Sequence, residues 1–245
     1  MLLFYHFGRY LVFLGNMFSK PEKLGIYISR TFQEMVSIGI NSLPIVAIIA
    51  LFSGGVSTIQ TSYQLIATWI SKTIIGSIVS DTVILEFAPT ITCLVLSGKV
   101  GSSIASEIGT MKVSEQVDAL EVMGINSIGY LALPKILAGV ITVPLLIVVA
   151  MFLGIWGGMM AGVATGILPI EMFMEGARSS FKTFNVVFAL IKATSFGFII
   201  TSISSFQGYY TEGGALEVGK SSTNAVVYSS VMILCADYLI AQLFL

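Results

Sequence analysis

Three ionisable residues stand inside otherwise apolar stretches of this chain: Glu86, Lys192 and Asp237. A charge at the centre of a bilayer costs about 2.5–3.5 kcal/mol on insertion scales, so such groups line a cavity or pair with one another. Either acid has the sign to neutralise Lys192. The same groups have the chemistry to meet a substrate headgroup or, for the acids, to carry a proton. Covalent catalysis has no comparable support. His6 is the only histidine, which argues against a histidine-rich metal site or a His-dependent triad. Cys93 and Cys235 lie far apart in apolar segments and read as small buried side chains, not as a disulfide or metal pair. Two literal motif matches fail on context. Residues 214–221, GALEVGKS, have phosphate-loop spacing but sit between two membrane spans with no α/β domain around them. Residues 179–182, SSFK, match a Ser-x-x-Lys pattern but lack its partner motifs.

The elements that must position these groups are membrane helices. The chain is 56% hydrophobic and 10% charged, with a mean hydropathy of +0.94. A soluble domain carries about 25% charged residues. A net charge of −1 argues against nucleic acid. Stretches of about 20 apolar residues predict five spans, at residues 36–58, 83–105, 137–164, 186–206 and 225–245. Pro44, Pro89 and Pro144 fall inside the first three, where membrane helices tolerate them as kinks. Residues 60–80 either extend the first span or lie at the interface. The N-terminal stretch 2–18 is short, aromatic and carries Arg9; it lacks signal-peptide features and predicts an interfacial helix. Arg9, Lys20, Lys23, Arg30, Lys99, Lys112, Lys135 and Lys220 fall on one side, against Lys72, Arg178 and Lys182 on the other. This balance predicts a cytoplasmic N-terminus and, after five spans, a periplasmic C-terminus. In the third span, Gly154, Gly158, Gly162 and Gly166 repeat a small-xxx-small step that predicts close packing against another helix.

The polar interruption 99–126 contains a short acidic helix, placed by its charges in the cytoplasm. Ser114 has the type expected of an N-cap, Glu115 suits the first turn and Gly124 supplies the stop. Val113, Val117 and Leu120 share one side, while Glu115, Asp118 and Glu121 lie on the other. A small amphipathic helix outside the bilayer predicts a docking role. Five spans with three internal charges offer little lining for a sugar or ion. A two-chain lipid would expose about 30 methylenes at about 0.8 kcal/mol each unless its path stayed greasy, so an amphiphile suits this composition better.

Residues 85–139, LEFAPTITCLVLSGKVGSSIASEIGTMKVSEQVDALEVMGINSIGYLALPKILAG, resemble the MlaE/YrbE family, the membrane permeases of MCE-associated ABC transporters. The resemblance continues through PLLIVVAMFLGIWGG, IKATSFGFIITSISSFQGY and STNAVVYSSVMILCADYLIA in the last three spans, and KPEK near the N-terminus also suits the family. It implies an all-α polytopic membrane protein of the MlaE-type permease fold. An N-terminal interfacial or elbow helix would occupy residues 1–30 and a five-helix transmembrane domain residues 31–245. The segment at about 113–124 would be the coupling helix gripped by an ATPase, through Val113, Glu115, Gln116, Asp118, Ala119, Leu120, Glu121, Met123 and Gly124. The implied assembly is a homodimer in the bacterial inner membrane with cytoplasmic ABC ATPase subunits, a periplasmic MCE-domain protein and in some cases a small regulatory subunit. ATP and magnesium would belong to the ATPase, with no cofactor and no catalytic residue in this chain. Members move phospholipids or other lipids, and the family's polar positions correspond to Glu86, Lys192 and Asp237. Two positions depart from the family's Arg-Glu-Leu/Phe-Gly-Pro motif: Leu85 stands for the arginine and Ala88 for the glycine. Losing that cation makes Lys192 the expected partner of Glu86. The competing expectation is a proton-coupled secondary transporter using Glu86 or Asp237.

Overall fold

The computed structural model describes residues 2–17, 24–65 and 71–244. Lys20 and Lys23, the KPEK segment, residues 66–70 and the last residue of span five lie outside the described residues, as does the side chain of His6. The described residues form helices and no strand. Helix α1 (Leu2–Asn16) precedes α2 (Leu24–Ile38), which runs through the domain boundary expected at residue 30. Gly39 and a short 3-10 turn, Ile40–Ser42, separate α2 from α3 (Leu43–Gln64). Pro44 falls in the first turn of α3, where its missing N–H has no intrahelical partner to lose.

Five helical stretches are long and apolar enough to cross a membrane, in agreement with the five expected spans. Their ends reach further than the hydropathy windows. Span two comprises α4 (Thr73–Thr82), a wide π-helical stretch (Val83–Ile91), α5 (Thr92–Leu96), a second π-helical stretch (Ser97–Gly101) and α6 (Ser102–Val113). Residues expected as a water-facing loop after residue 99 are therefore mostly helix. The short α7 (Gln116–Val122) follows, then α8 (Ser127–Ala164), α9 (Ile170–Ser179), α10 (Thr183–Tyr209) and α11 (Ala215–Phe244). The 38 residues of α8 make a rod about 57 Å long at 1.5 Å per residue, well beyond a hydrocarbon core of about 30 Å. Residues 60–64 extend span one, and α4 opens span two at Thr73.

The chain divides into two compact units. The first takes Met1–Ser42, Leu94–Thr142 and Thr194–Tyr238. Its core joins Phe13 and Met17 of the N-terminal segment to Ile128, Ala132 and Ile136 of α8 and Phe206 of α10. Phe13 meets Phe206 edge-on at 5.7 Å between ring centroids, and Tyr10 hydrogen-bonds Ser202 at 2.7 Å. Edge-on aromatic pairs add about 0.5–1.5 kcal/mol beyond their buried area. Tyr5, Phe7, Leu11 and Val12 remain exposed, so α1 keeps an apolar outer face of the kind an interfacial helix presents. Arg30 of α2 lies 3.7 Å over the ring of Tyr130.

The second unit takes Leu43–Cys93, Val143–Ala193 and Leu239–Leu245. Its core packs Ile75, Val79 and Val83 against Leu168 and Phe173. Cys93 is buried as expected, but Cys235 is exposed on α11, because this last span has only 11% of its apolar window buried within the chain.

Candidate functional site

The acidic segment between spans two and three is held at both ends. Ser114 does not cap α7. Its N–H and its Oγ both donate to the Thr110 carbonyl, at 3.0 and 2.8 Å, so it closes α6. Glu115 makes the turn in a left-handed conformation, φ 60°, which costs an L-residue about 1–2 kcal/mol. The expected faces of α7 hold: Val117 is fully buried, Val113 and Leu120 are partly buried, and Glu115, Asp118 and Glu121 are exposed. Gln116, Ala119 and Met123 are exposed as well, and so is Val122, which the sequence reading passed over. Gly124 ends the helix at φ +78°, with Ile125 N–H on the Leu120 carbonyl and Gly124 N–H on that of Glu121. Those two bonds form the Schellman closure that needs a residue at positive φ.

Asp118 and Glu121 are tied to the protein's own scaffold. Lys112 Nζ lies 2.6 Å from Asp118 Oδ1, bridging the turn at Glu115. Glu121 Oε1 accepts from Ser127 Oγ at 2.8 Å and Tyr209 OH at 2.9 Å, joining α7 to the start of α8 and the end of α10. Asn126 Nδ2 donates to the Asn16 carbonyl at 2.8 Å, which links the same corner to α1. Replacing Tyr209 by Phe removes one of these donors, worth about 0.5–1.5 kcal/mol. The expected result is faster amide exchange across α7 with no change in the middle of α8; equal exchange at both would show the bond to be idle.

Of the three ionisable groups, the structure brings Glu86 and Lys192 together within the second unit. Lys192 is fully buried, with Nζ 2.8 Å from Glu86 Oε1 and 3.1 Å from the Leu85 carbonyl. Pro89 has no N–H to donate, and the backbone around it runs as a π-helical stretch. Lys192 adds a side-chain donor to the Leu85 carbonyl. The Phe188 ring lies 4.9 Å from the same ammonium, and Thr90 Oγ1 donates to Glu86 Oε2 at 3.2 Å. The Glu86 side chain remains 45% exposed, so an ion pair with a buried cation presents its carboxylate outward. Asp237 lies in the first unit, half-buried on α11.

The glycine face of α8 meets α3, α4 and the start of the first π-helical stretch. A Cβ on Gly154 would lie 2.7 Å from a Val83 methyl, and one on Gly158 would lie 2.9 Å from Thr58 Oγ1. Thr58 donates to the Gly158 carbonyl at 3.0 Å. Gly162 faces Thr58 and Leu168 at ordinary contact distance. Gly166 does not belong to this seam. It lies past the end of α8 at φ +68° with open space around it, and forms the helix stop through Gly166 N–H on Val163 and Ile167 N–H on Gly162. Gly157, missed in the four-residue count, packs against the Leu51 backbone.

Sequence reasoning also missed Lys135, counted only as a flanking cation. It is buried two turns into α8, 2.6 Å from Glu34 Oε1 and 2.7 Å from Glu107 Oε2. Asp81, just outside the expected second span, accepts from Asn185 Nδ2 at 3.2 Å.

The permease MlaE family model matches residues 31–243. The chain belongs to the MlaE permease family. A probable ABC transporter permease of Rickettsia prowazekii is 38% identical over 97% of this chain and 91% of its own length. The chloroplastic protein trigalactosyldiacylglycerol 1 of Arabidopsis thaliana is 33% identical over 95% of this chain and 66% of its own length. The intermembrane phospholipid transport system permease MlaE of Haemophilus influenzae is 28% identical over 94% of this chain and 87% of its own length. Within this MlaE-family permease, Lys192 also reaches the backbone carbonyl of Leu85, a contact that does not depend on the side chain at that position.

Proposed function

We propose that this chain is the membrane subunit of an ATP-driven lipid transporter, moving phospholipid or a related lipid between the bacterial inner membrane and a periplasmic MCE-domain assembly. The carrying observation is the family match across residues 31–243, which includes a relative named for intermembrane phospholipid transport. Power comes from cytoplasmic ABC ATPase subunits, where ATP and magnesium belong. The N-terminus faces the cytoplasm, the C-terminus the periplasm, and the permease works as a homodimer, with room for a small regulatory subunit. Residues 113–124 act as the coupling helix. Val122 and Met123 project from it, 89% and 65% exposed, while Glu121 and Asp118 fix its angle. Exposed apolar side chains on a rigidly held short helix suit a groove in a partner. Glu86, held by the buried Lys192 behind it, and separately Asp237 are the polar groups proposed to meet the lipid headgroup.

The test is Val122→Asp in the full complex. Burying that carboxylate in the ATPase groove should lower copurification of the ATPase at least about tenfold, or 1.4 kcal/mol, with the permease inserted and its melting midpoint unchanged. Unaltered assembly and lipid movement would overturn the coupling assignment. Labelling of α7 from the periplasm would do the same, and so would transport that follows a proton gradient without the ATPase.

A further inference from the structure

A second polar site lies within the first unit. A pocket of about 310 Å³ opens between α2, the turn at residues 40–42 and the start of α6. Its size is at the low end of small-ligand pockets, about 300–1,000 Å³, which suits a headgroup and not a whole lipid. Glu34 and Glu107 line it, backed by the buried Lys135 that pairs with both. Lys99 also lines it, and its Nζ donates to the Asn41 carbonyl, leaving further ammonium protons for a ligand. Ser42 contributes a fully buried hydroxyl that has no hydrogen-bond partner among the described residues. Buried polar groups in native structures are as a rule hydrogen-bonded, so this hydroxyl calls for a partner.

The charges select the ligand. The two carboxylates, Lys99 and Lys135 balance, so a purely anionic ligand meets two acids and a purely cationic one meets Lys99. A neutral ligand carrying both an ammonium and a phosphate satisfies both signs.

We propose that this pocket binds the phosphoethanolamine headgroup of a zwitterionic phospholipid, with its phosphate on Lys99 and its amine on Glu34 and Glu107. The assignment rests on the lipid reading above for its ligand class. It is read as binding, without nucleotide or ATPase, so either can fail while the other stands.

The reporter is Ser103→Cys on the pocket wall, in the full chain with Cys235→Ala; Cys93 is buried. Maleimide labelling is followed with phosphatidylethanolamine, with phosphatidylglycerol of the same acyl chains, and with free phosphoethanolamine. Phosphatidylethanolamine at ten times its dissociation constant should slow labelling about tenfold, and phosphatidylglycerol should do far less. Glu107→Gln, which keeps an oxygen for Lys135, should erase the difference between the lipids; Lys99→Gln should weaken both. Equal protection by the two lipids, protection by neither, or a preference that survives Glu107→Gln would overturn the proposal. Protection by free phosphoethanolamine alone would overturn the lipid source and give the site to a soluble zwitterion. The comparison of the two lipids on the reporter needs no charge variant, so it decides even if those variants fold poorly.

Discussion

Lys192→Met should abolish lipid movement and destabilise the permease by about 2–4 kcal/mol, somewhat below the 3–5 kcal/mol typical of breaking a fully buried pair, because the Glu86 side chain is 45% exposed. The substitution leaves the Glu86 carboxylate without its ammonium partner and removes the side-chain donor to the Leu85 carbonyl. The informative variant is the double one. Lys192→Met with Glu86→Gln removes both charges, and neutralising a buried pair together is often close to neutral in stability. The double variant should regain most of the lost stability, falling short by about 1 kcal/mol for the Leu85 carbonyl, yet remain inactive in lipid transfer between the membrane and its acceptor. Transfer that returned with stability would reduce the pair to a packing device. Transfer that stayed absent in a well-folded double variant would mark the pair as a contact for the headgroup.

The second large effect concerns span one against span three. Gly54→Ala drives a methyl into the Gly154 carbonyl oxygen, a backbone atom that no side-chain rotation can move away. Overpacking of this kind costs about 1–3 kcal/mol and occasionally more, and here it should exceed the gain of about 1 kcal/mol that alanine brings to a helix interior. Gly219→Ala is the control. That residue lies within α11 with nothing within 4 Å of an added Cβ, so alanine there should raise stability by about 0.4–1 kcal/mol. Melting of the two variants in the same detergent should shift in opposite directions. A neutral Gly54→Ala would show that α3 and α8 do not pack as closely as the structure has them.

Hydropathy made the five spans legible, because the hydrocarbon core imposes a minimum run of apolar residues. It did not reveal where helices stop, since a helix that leaves the lipid meets no penalty for polar residues. Thus α8 starts at Ser127, ten residues before its apolar window, and α6 carries span two on to Val113. The seam of Gly154, Gly158 and Gly162 was readable from spacing, whereas Gly166 followed the same spacing for a different reason, a positive φ. Charge alone identified Glu86 and Lys192. It did not identify the burial of Lys135, whose partners stand 101 and 28 residues away in the sequence. The orientation of Ser114 was equally hidden, because a serine after a helix and a serine before one have the same sequence signature until the backbone chooses.

The contact between Gly54 and Gly154 has a mechanical consequence. With main chain against main chain and a Thr58 hydroxyl bridging to the Gly158 carbonyl, neither rod can roll about its own axis without tearing the other. Spans one and three therefore travel as a single stave wherever they lie side by side. Span two is no such uniform rod: two π-helical stretches flank its five-residue α5 and interrupt the α-helical ladder.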